Sequence, residues 1–147
     1  MKKGIKFTRK SLVIMIVILI LLFGMIFRER LIQAYVVVAR EHLVSYAENL
    51  LDSDDRQSDR YGFWKVRSYP EEQLVEFHTG GFGLVPSSTY KGFYYSADNA
   101  HKVFSVADES IAMMDIEGDR ATWTDGTDNH GTSMRIIENW FWYEASF

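Results

Sequence analysis

The chain ends in Trp140-Phe-Trp-Tyr-Glu-Ala-Ser-Phe147, and this octapeptide gives the clearest indication of how the protein folds. Successive side chains of a strand point to opposite faces. Alternation therefore puts Trp140, Trp142 and Glu144 on one face and Phe141, Tyr143, Ala145 and Phe147 on the other. Because both faces carry aromatic rings, both need a covering layer. The octapeptide predicts an ordered strand covered on both sides, with the helix described below on one of them.

Upstream of this strand, period-two alternation indicates an antiparallel sheet of about six or seven strands over residues 61–147. The links are short, and short links favour antiparallel pairing because parallel strands need long crossovers. The glycine-rich stretch Gly80–Gly83 is expected to end one strand. The predicted strands include residues 63–69, 74–79, 90–96, 103–106, 111–116, 120–124 and 133–138.

A helix is predicted before the sheet, within a stalk spanning residues 28–51. Its apolar residues recur at intervals of three and four, which places them on one stripe. They are Ile32, Val36, Ala39, Leu43, Tyr46 and Leu50. We expect this stripe to pack on the sheet, which makes the fold class α+β. The alternative is a coiled-coil seam, although fewer than three heptads are present.

Residues 52–60 separate the stalk from the sheet and are predicted to form a solvated acidic loop. Four aspartates in this loop offer oxygen ligands of the kind that Ca²⁺ prefers. The loop nevertheless lacks the glycine and the final glutamate of an EF-hand, and two arginines partly neutralise it. We therefore expect no calcium site at Asp52, Asp54, Asp55 and Asp59.

The N-terminal region predicts a membrane anchor. After Ser11, sixteen residues carry no polar side chain, and residues 11–27 would extend about 25 Å as a helix. The side chains expected in the lipid include Leu12, Ile16, Leu19, Phe23 and Phe27.

Residues 1–10 form a basic segment without an acid, and the positive-inside rule places such a segment in the cytoplasm. Its cations are Lys2, Lys3, Lys6, Arg9 and Lys10. The two alternatives are a cleaved signal peptide and a buried core helix. The first lacks a small-residue cleavage site directly after the apolar run, which is followed by Arg28-Glu29-Arg30.

Charge and cysteine content exclude several classes of protein. Residues 28–147 carry 20 acidic and 11 basic side chains, which argues against nucleic-acid binding by this part. The absence of cysteine excludes a disulfide scaffold, a thiolate zinc site and a cysteine nucleophile.

Metal and anion sites have only weak candidates. Glu76 and His78 share a strand face and would make half of a metal site, while Asp125 and Asp128 lie in a turn-rich segment. We expect these side chains to be ordinary surface or turn residues. The loop His78–Gly83 resembles an oxyanion-binding loop superficially, but a turn is the simpler interpretation. No cofactor and no catalytic residue is predicted.

Aromatic side chains are the best candidates for a binding surface. Exposed rings stack on sugars or anchor peptides. The rings chosen as partly exposed are Trp64, Tyr94, Tyr95 and Trp142, and the alternative is that they form the core.

Two stretches, Tyr69–Ser96 and Asn139–Phe147, resemble small uncharacterised membrane-anchored proteins of gut-type Firmicutes. The resemblance covers roughly residues 30–147. It implies a bacterial source and an extracytoplasmic body, and it implies no activity and no site residues.

Together these observations predict a single-pass, membrane-anchored, extracytoplasmic binding or accessory protein without catalytic activity. The expected partners are the lipid bilayer and either another membrane protein or cell-wall glycan, with no nucleic acid. One alternative is a glycan or peptide receptor that uses exposed aromatics. The other is a small metal-dependent hydrolase.

Overall fold

The structure is a computed structural model that describes residues 9–53, 55–84, 87–104 and 113–147. The chain divides into two compact units, Met1–Tyr35 and Val36–Phe147. Two helices, α1 (Arg9–Val38) and α2 (Arg40–Leu51), precede the sheet.

The predicted anchor lies in α1, which is not one straight rod. Within the described residues no single helix combines the length and the apolarity needed to cross a bilayer. Two segments that meet at a 60° bend, Leu12–Gly24 and Ile26–Val38, satisfy that requirement only when taken together. The structure therefore does not support the predicted transmembrane helix over residues 11–27, and the bend falls inside that span.

The predicted stalk helix is interrupted at Ala39, whose backbone lies at φ −92° and ψ 12° between α1 and α2. The three β-branched residues Val36–Val38, which have low helix propensity, come directly before this break. Beyond it, α2 buries Leu43, Ala47 and Leu50 and packs against the sheet. The predicted packing of the apolar stripe is thus confirmed for α2, whereas a single continuous stalk is wrong.

Within the described residues, the remaining elements form one antiparallel sheet of eight strands, which confirms the α+β class and corrects the expected six or seven. In chain order the strands are β1 (Ser58–Tyr61), β2 (Trp64–Tyr69), β3 (Leu74–Leu84), β4 (Ser87–Ser96), β5 (Met113–Glu117), β6 (Arg120–Thr124), β7 (His130–Ile137) and β8 (Trp140–Ser146). Their order across the sheet is β1-β2-β3-β4-β8-β7-β6-β5. The final strand is therefore central.

Two local predictions are wrong, and a third is contradicted in the part that the structure describes. β1 begins at Ser58, inside the predicted acidic loop, and Asp59 of this strand accepts a 2.7 Å hydrogen bond from Tyr46 of α2. β3 does not end at the glycines, because a register shift between His78 and Gly80 absorbs the irregularity and pairing continues to Leu84. Residues 103 and 104 form no strand, and the rest of that predicted strand lies outside the described residues.

The pairing register separates the sheet into two faces. Val66, Phe77 and Phe93 lie side by side on three neighbouring strands, and the ring of Tyr46 from α2 lies 6.0 Å from that of Phe77. We call this side the helix face. Residues one position along these strands, such as Arg67 and Glu76, point to the opposite face.

Both faces have an aromatic core, as the two-sided final strand predicts. On the helix face, Phe77 stacks on Phe93 with ring centroids 4.7 Å apart, beside the fully buried Trp140. On the opposite face, Phe141 and Tyr143 are buried in a second cluster that also contains Leu74, Tyr94, Trp123 and Ala145.

Candidate functional site

A cavity of about 560 Å³ lies on the opposite face of the sheet, over strands β2, β3, β4 and β8. Its walls combine charged side chains from β2 and β3 with aromatic rings from β4, β8 and the segment that follows β4. The residues that line it are Arg56, Lys65, Arg67, Tyr69, Glu72, Leu74, Glu76, His78, Tyr90, Val103, Phe104, Tyr143, Ala145 and Phe147.

Strand register brings the polar residues together. Lys65 pairs with His78, and Arg67 pairs with Glu76, so alternate positions of β2 and β3 place four polar side chains on one patch. Across the patch, Gly92 of β4 pairs with both His78 and Tyr143. A Cβ atom at Gly92 would lie 2.7 Å from a ring carbon of Tyr143. The absence of a side chain there gives the tyrosine ring its place at the base of the cavity.

At that base, Glu76 is 7% exposed, and two tyrosines hold its carboxylate. Tyr143 donates a hydrogen bond to Oε1, and Tyr69 donates to Oε2 at 3.5 Å. The Arg67 guanidinium lies 4.0 Å from Oε2. Burial and the nearby charge of Glu76 raise the pKa of both Tyr143 and Tyr69 above the ordinary tyrosine value. Both hydroxyls therefore stay protonated at neutral pH and act as donors.

At one end of the cavity, Arg56 forms an ion pair with Glu72 at 2.8 Å, and its guanidinium lies 5.1 Å from the centre of the Tyr69 ring. The second oxygen of Glu72, Oε2, is buried and has no hydrogen-bond donor among the described residues. A buried acceptor without a donor is uncommon, and a donor on a bound molecule would satisfy it.

The apolar wall of the cavity consists of rings that contact one another. Phe104 stacks on Tyr143 with centroids 4.1 Å apart, and Tyr90 lies 5.8 Å from Phe147 and 5.7 Å from His78. Tyr90 is 42% exposed, so this wall reaches the surface. The cavity thus has polar groups at its base and along one side, and an aromatic wall on the other.

The four aromatic residues chosen from the sequence do not form this site. Tyr94, Tyr95 and Trp142 are buried, so the prediction that they are partly exposed is wrong, and Trp64 is half-buried against Phe93. Burial raises the pKa of Tyr94 to about 12, in keeping with its place in the core. The physical reason is that both faces of the central strands are covered.

These rings are also divided between the two faces. Trp64, Tyr95 and Trp142 lie on the helix face, where Tyr95 donates a 3.4 Å hydrogen bond to Glu48 of α2. Tyr94 lies on the opposite face and stacks on Phe141 at 5.0 Å.

The weak metal candidates are not brought together either. Glu76 and His78 do share a face, but the tyrosines engage the Glu76 carboxylate. Among the residues that the structure describes, no group of three metal-ligating side chains is present. Asp125 accepts hydrogen bonds from Thr127 and from the Asn129 side chain at 2.6 and 2.7 Å, and these bonds lower its pKa. Asp125 therefore organises its own turn, and Asp128 beside it is exposed.

A serine–histidine contact lies elsewhere on the same face. Nδ1 of His101 is 2.5 Å from Oγ of Ser133. Ser133 is only 2% exposed, so a substrate has no open approach to its hydroxyl. The contact ties the segment after β4 to β7, and we assign it a structural role.

Sequence reasoning missed Lys65, Arg67 and Tyr143 as site residues. Lys65, Arg67 and Tyr69 alternate with Val66 and Ser68, and this alternation already indicates a polar face on β2.

The sequence gives no sign that β8 lies only two strands from β3, and this closeness places Tyr143 of β8 beside Glu76 of β3.

The resemblance to membrane-anchored Firmicutes proteins stays a prediction. Comparison with known proteins finds no family model, no curated protein and no solved structure that matches this chain.

Proposed function

We propose that this chain is a single-pass, membrane-tethered, extracytoplasmic binding protein without catalytic activity, and that it binds a small organic ligand in the cavity of its sheet. The observation that carries the proposal is the cavity itself. Sites for small molecules are typically concave, measure about 300–1,000 Å³ and combine apolar walls with a few convergent polar groups. The cavity of about 560 Å³ matches this description in size and in lining.

The polar groups at the base favour binding over catalysis. Tyr143 and Tyr69 donate to Glu76, and all three side chains are held in a fixed arrangement. A general acid works best when its pKa lies near the operating pH, whereas the pKa of Tyr143 is raised well above its ordinary value. Such groups suit the orientation of a ligand better than the transfer of a proton. The alternative of a metal-dependent hydrolase has no comparable support.

The tether is proposed from composition. The apolar stretch 11–27 follows five cations, and the bent pair of α1 segments has the combined length and apolarity of a span. With the cations inside, the acidic body lies outside. Tethering confines the protein to a surface and raises its effective concentration for membrane partners, among which another membrane protein is our second expected partner.

A glycan or peptide receptor remains the second candidate, with different residues. Phe63, in the turn between β1 and β2, is 102% exposed, and Phe82, within β3, is 91% exposed. Exposed rings are common anchors for such ligands. This candidate predicts that Phe63→Ala and Phe82→Ala abolish retention of the chain on cell-wall glycan. Unchanged retention would exclude it.

Topology is tested by fusing alkaline phosphatase, which is active only outside the cytoplasm, to Phe147. We expect an active fusion that stays in the membrane fraction. An inactive fusion, or an active one released into the medium, would overturn the tether.

Ligand binding is tested by screening small neutral, cationic and anionic compounds against the full chain in lipid nanodiscs by ligand-observed NMR. The blocking variant is Val103→Trp, which adds a large ring to the cavity wall. Its matched control is Thr122→Trp on an exposed position of β6. We expect hits that Val103→Trp loses and Thr122→Trp keeps. Hits that survive in both variants would place binding elsewhere.

A further inference from the structure

The charge of the cavity is opposite to that of the domain around it. Residues 28–147 contain 20 acidic and 11 basic side chains. The cavity lining contains three cations, Arg56, Lys65 and Arg67, against the two acids Glu72 and Glu76. This net positive lining favours negative ligands over positive ones.

Two of the three cations keep capacity for a ligand. Arg56 is engaged by Glu72 at 2.8 Å. The Lys65 side chain, in contrast, is exposed, and its ammonium group forms no ion pair and no hydrogen bond within the described part of the chain. The Arg67 side chain hydrogen-bonds Tyr69 and lies 4.0 Å from Oε2 of Glu76, but it is 51% exposed, so some of its five N–H donors still face the solvent. Outside the cavity, four cations of the domain have a carboxylate oxygen within 3.4 Å, namely Arg40, Lys91, Lys102 and Arg135.

Lys65 and Arg67 are two positions apart on β2, so their side chains leave the sheet on the same side, about 7 Å apart. A carboxylate or phosphate between them can accept hydrogen bonds from both. The apolar remainder of such a ligand finds Tyr90, Phe104 and Phe147 on the opposite wall, where Phe104 is itself backed by Tyr143.

We propose that the cavity binds a small organic anion whose carboxylate or phosphate monoester lies between Lys65 and Arg67 and whose apolar body lies along Tyr90, Phe104 and Phe147. This inference rests on the proposed function and adds the chemical class of the ligand. The shared chemistry is one anionic group on an aromatic or aliphatic body.

The experiment uses the full chain in nanodiscs of phosphatidylcholine, a zwitterionic lipid, and four probes with the same ring system. Two probes are anions, 2-naphthoate and 2-naphthyl phosphate. The others are neutral 2-naphthalenemethanol and cationic 2-naphthylmethylamine. We expect at least one anion to bind at least about tenfold more tightly than the alcohol, because charge-assisted hydrogen bonds are the strong ones. The amine should bind most weakly. The order of the two anions distinguishes a carboxylate site from a phosphate site.

The variants are Lys65→Gln and Arg67→Gln, which remove one charge each. The matched control, Arg120→Gln, removes a charge from an exposed position of β6 that lies on the helix face. We expect about a fivefold to tenfold loss of anion affinity in each cavity variant and none in the control. A higher salt concentration should lower the affinity for the anions and leave the affinity for the alcohol unchanged. Circular dichroism confirms that the variants are folded.

The outcomes separate the two proposals. If the alcohol or the amine binds as tightly as the anions, the proposed ligand class is wrong while the cavity remains a binding site. The same conclusion follows if Arg120→Gln lowers the affinity for the anions as much as Lys65→Gln does. If no probe binds and the compound screen is also empty, both proposals fail.

Discussion

The two faces of the sheet are built from the same strands, but one face forms a buried core and the other carries the cavity. On the helix face, β2, β3 and β4 contribute Val66, Phe77 and Phe93 to a buried core under α2. One residue along, β2 and β3 contribute Arg67 and Glu76 to the cavity. Period-two alternation thus lets one pair of strands supply both stability and a candidate site. Substitutions on the two faces should therefore have separable effects.

The largest effect is expected from removal of the strand that both faces share. Deletion of residues 140–147 removes β8, which pairs with β4 and β7 and carries rings of both cores. We expect the cooperative unfolding transition to disappear. Thermal melting of the full chain and the deletion variant, followed by circular dichroism in mild detergent, measures this. An unchanged transition would contradict the central place of β8.

The second effect is confined to the helix face. Phe77→Ala empties a fully buried position between Phe93 and Trp140 and should lower the free energy of unfolding by about 3–5 kcal/mol. Urea denaturation in detergent measures it, with Phe63→Ala, at an exposed ring, as the control. Surviving protein should bind a cavity ligand normally. A loss of binding in folded Phe77→Ala would show that the faces are coupled.

The third effect belongs to the opposite face. Tyr143→Phe keeps the ring but removes the donor to the buried Glu76, and it should cost about 1–3 kcal/mol of stability. The matched control on the helix face is Tyr95→Phe, which removes a 3.4 Å bond to Glu48, a residue exposed to solvent. We expect ligand affinity to fall for Tyr143→Phe alone. Equal effects of the two variants would contradict a special role for the Glu76 network.

The smallest effect is a dependence of stability on pH. Burial and the positive charge of Arg135 lower the pKa of His101 below its ordinary value of 6.5. The unfolded chain then binds more protons than the folded one just below pH 6.5, so the stability contributed by neutral His101 is present above that pH and falls as the pH drops through it. Turn hydrogen bonds lower the pKa of Asp125. The stability that its carboxylate contributes is therefore present above about pH 3.8 and is lost as the pH falls below that value.

Urea denaturation between pH 7 and pH 5, roughly the window in which histidine titrates, measures the contribution of His101. We expect His101→Gln to flatten the pH dependence in this window, whereas the control His130→Gln, at an exposed position, leaves it unchanged. The same slope in wild type and His101→Gln would contradict the assignment.

Local pattern predicted much of the fold. Alternation identified most strands and both faces of β8, and three-four spacing identified the stripe of α2. It failed where pairing overrides local preference. β1 is recruited from an acidic segment by β2, and β3 passes through its glycines because β4 pairs with them.

The candidate site was harder to predict, because it depends on which strands become neighbours. The alternation of Lys65 and Arg67 was visible, whereas the approach of Tyr143 to Glu76 required knowledge that β8 inserts beside β4. The predicted exposure of Tyr94 is wrong for a similar reason, since its ring is buried against Phe141 and Tyr143, which are far away in sequence.

The central position of β8 also determines when the sheet can be completed during synthesis of the chain. β1–β4 and β5–β7 are synthesised before the strand that joins them, so the nascent chain presents two separate half-sheets, each with an unpaired hydrogen-bonding edge at β4 or β7. Neither half can complete its core until β8 has left the ribosome. The interval before β8 docks is therefore the period of greatest vulnerability to aggregation and proteolysis.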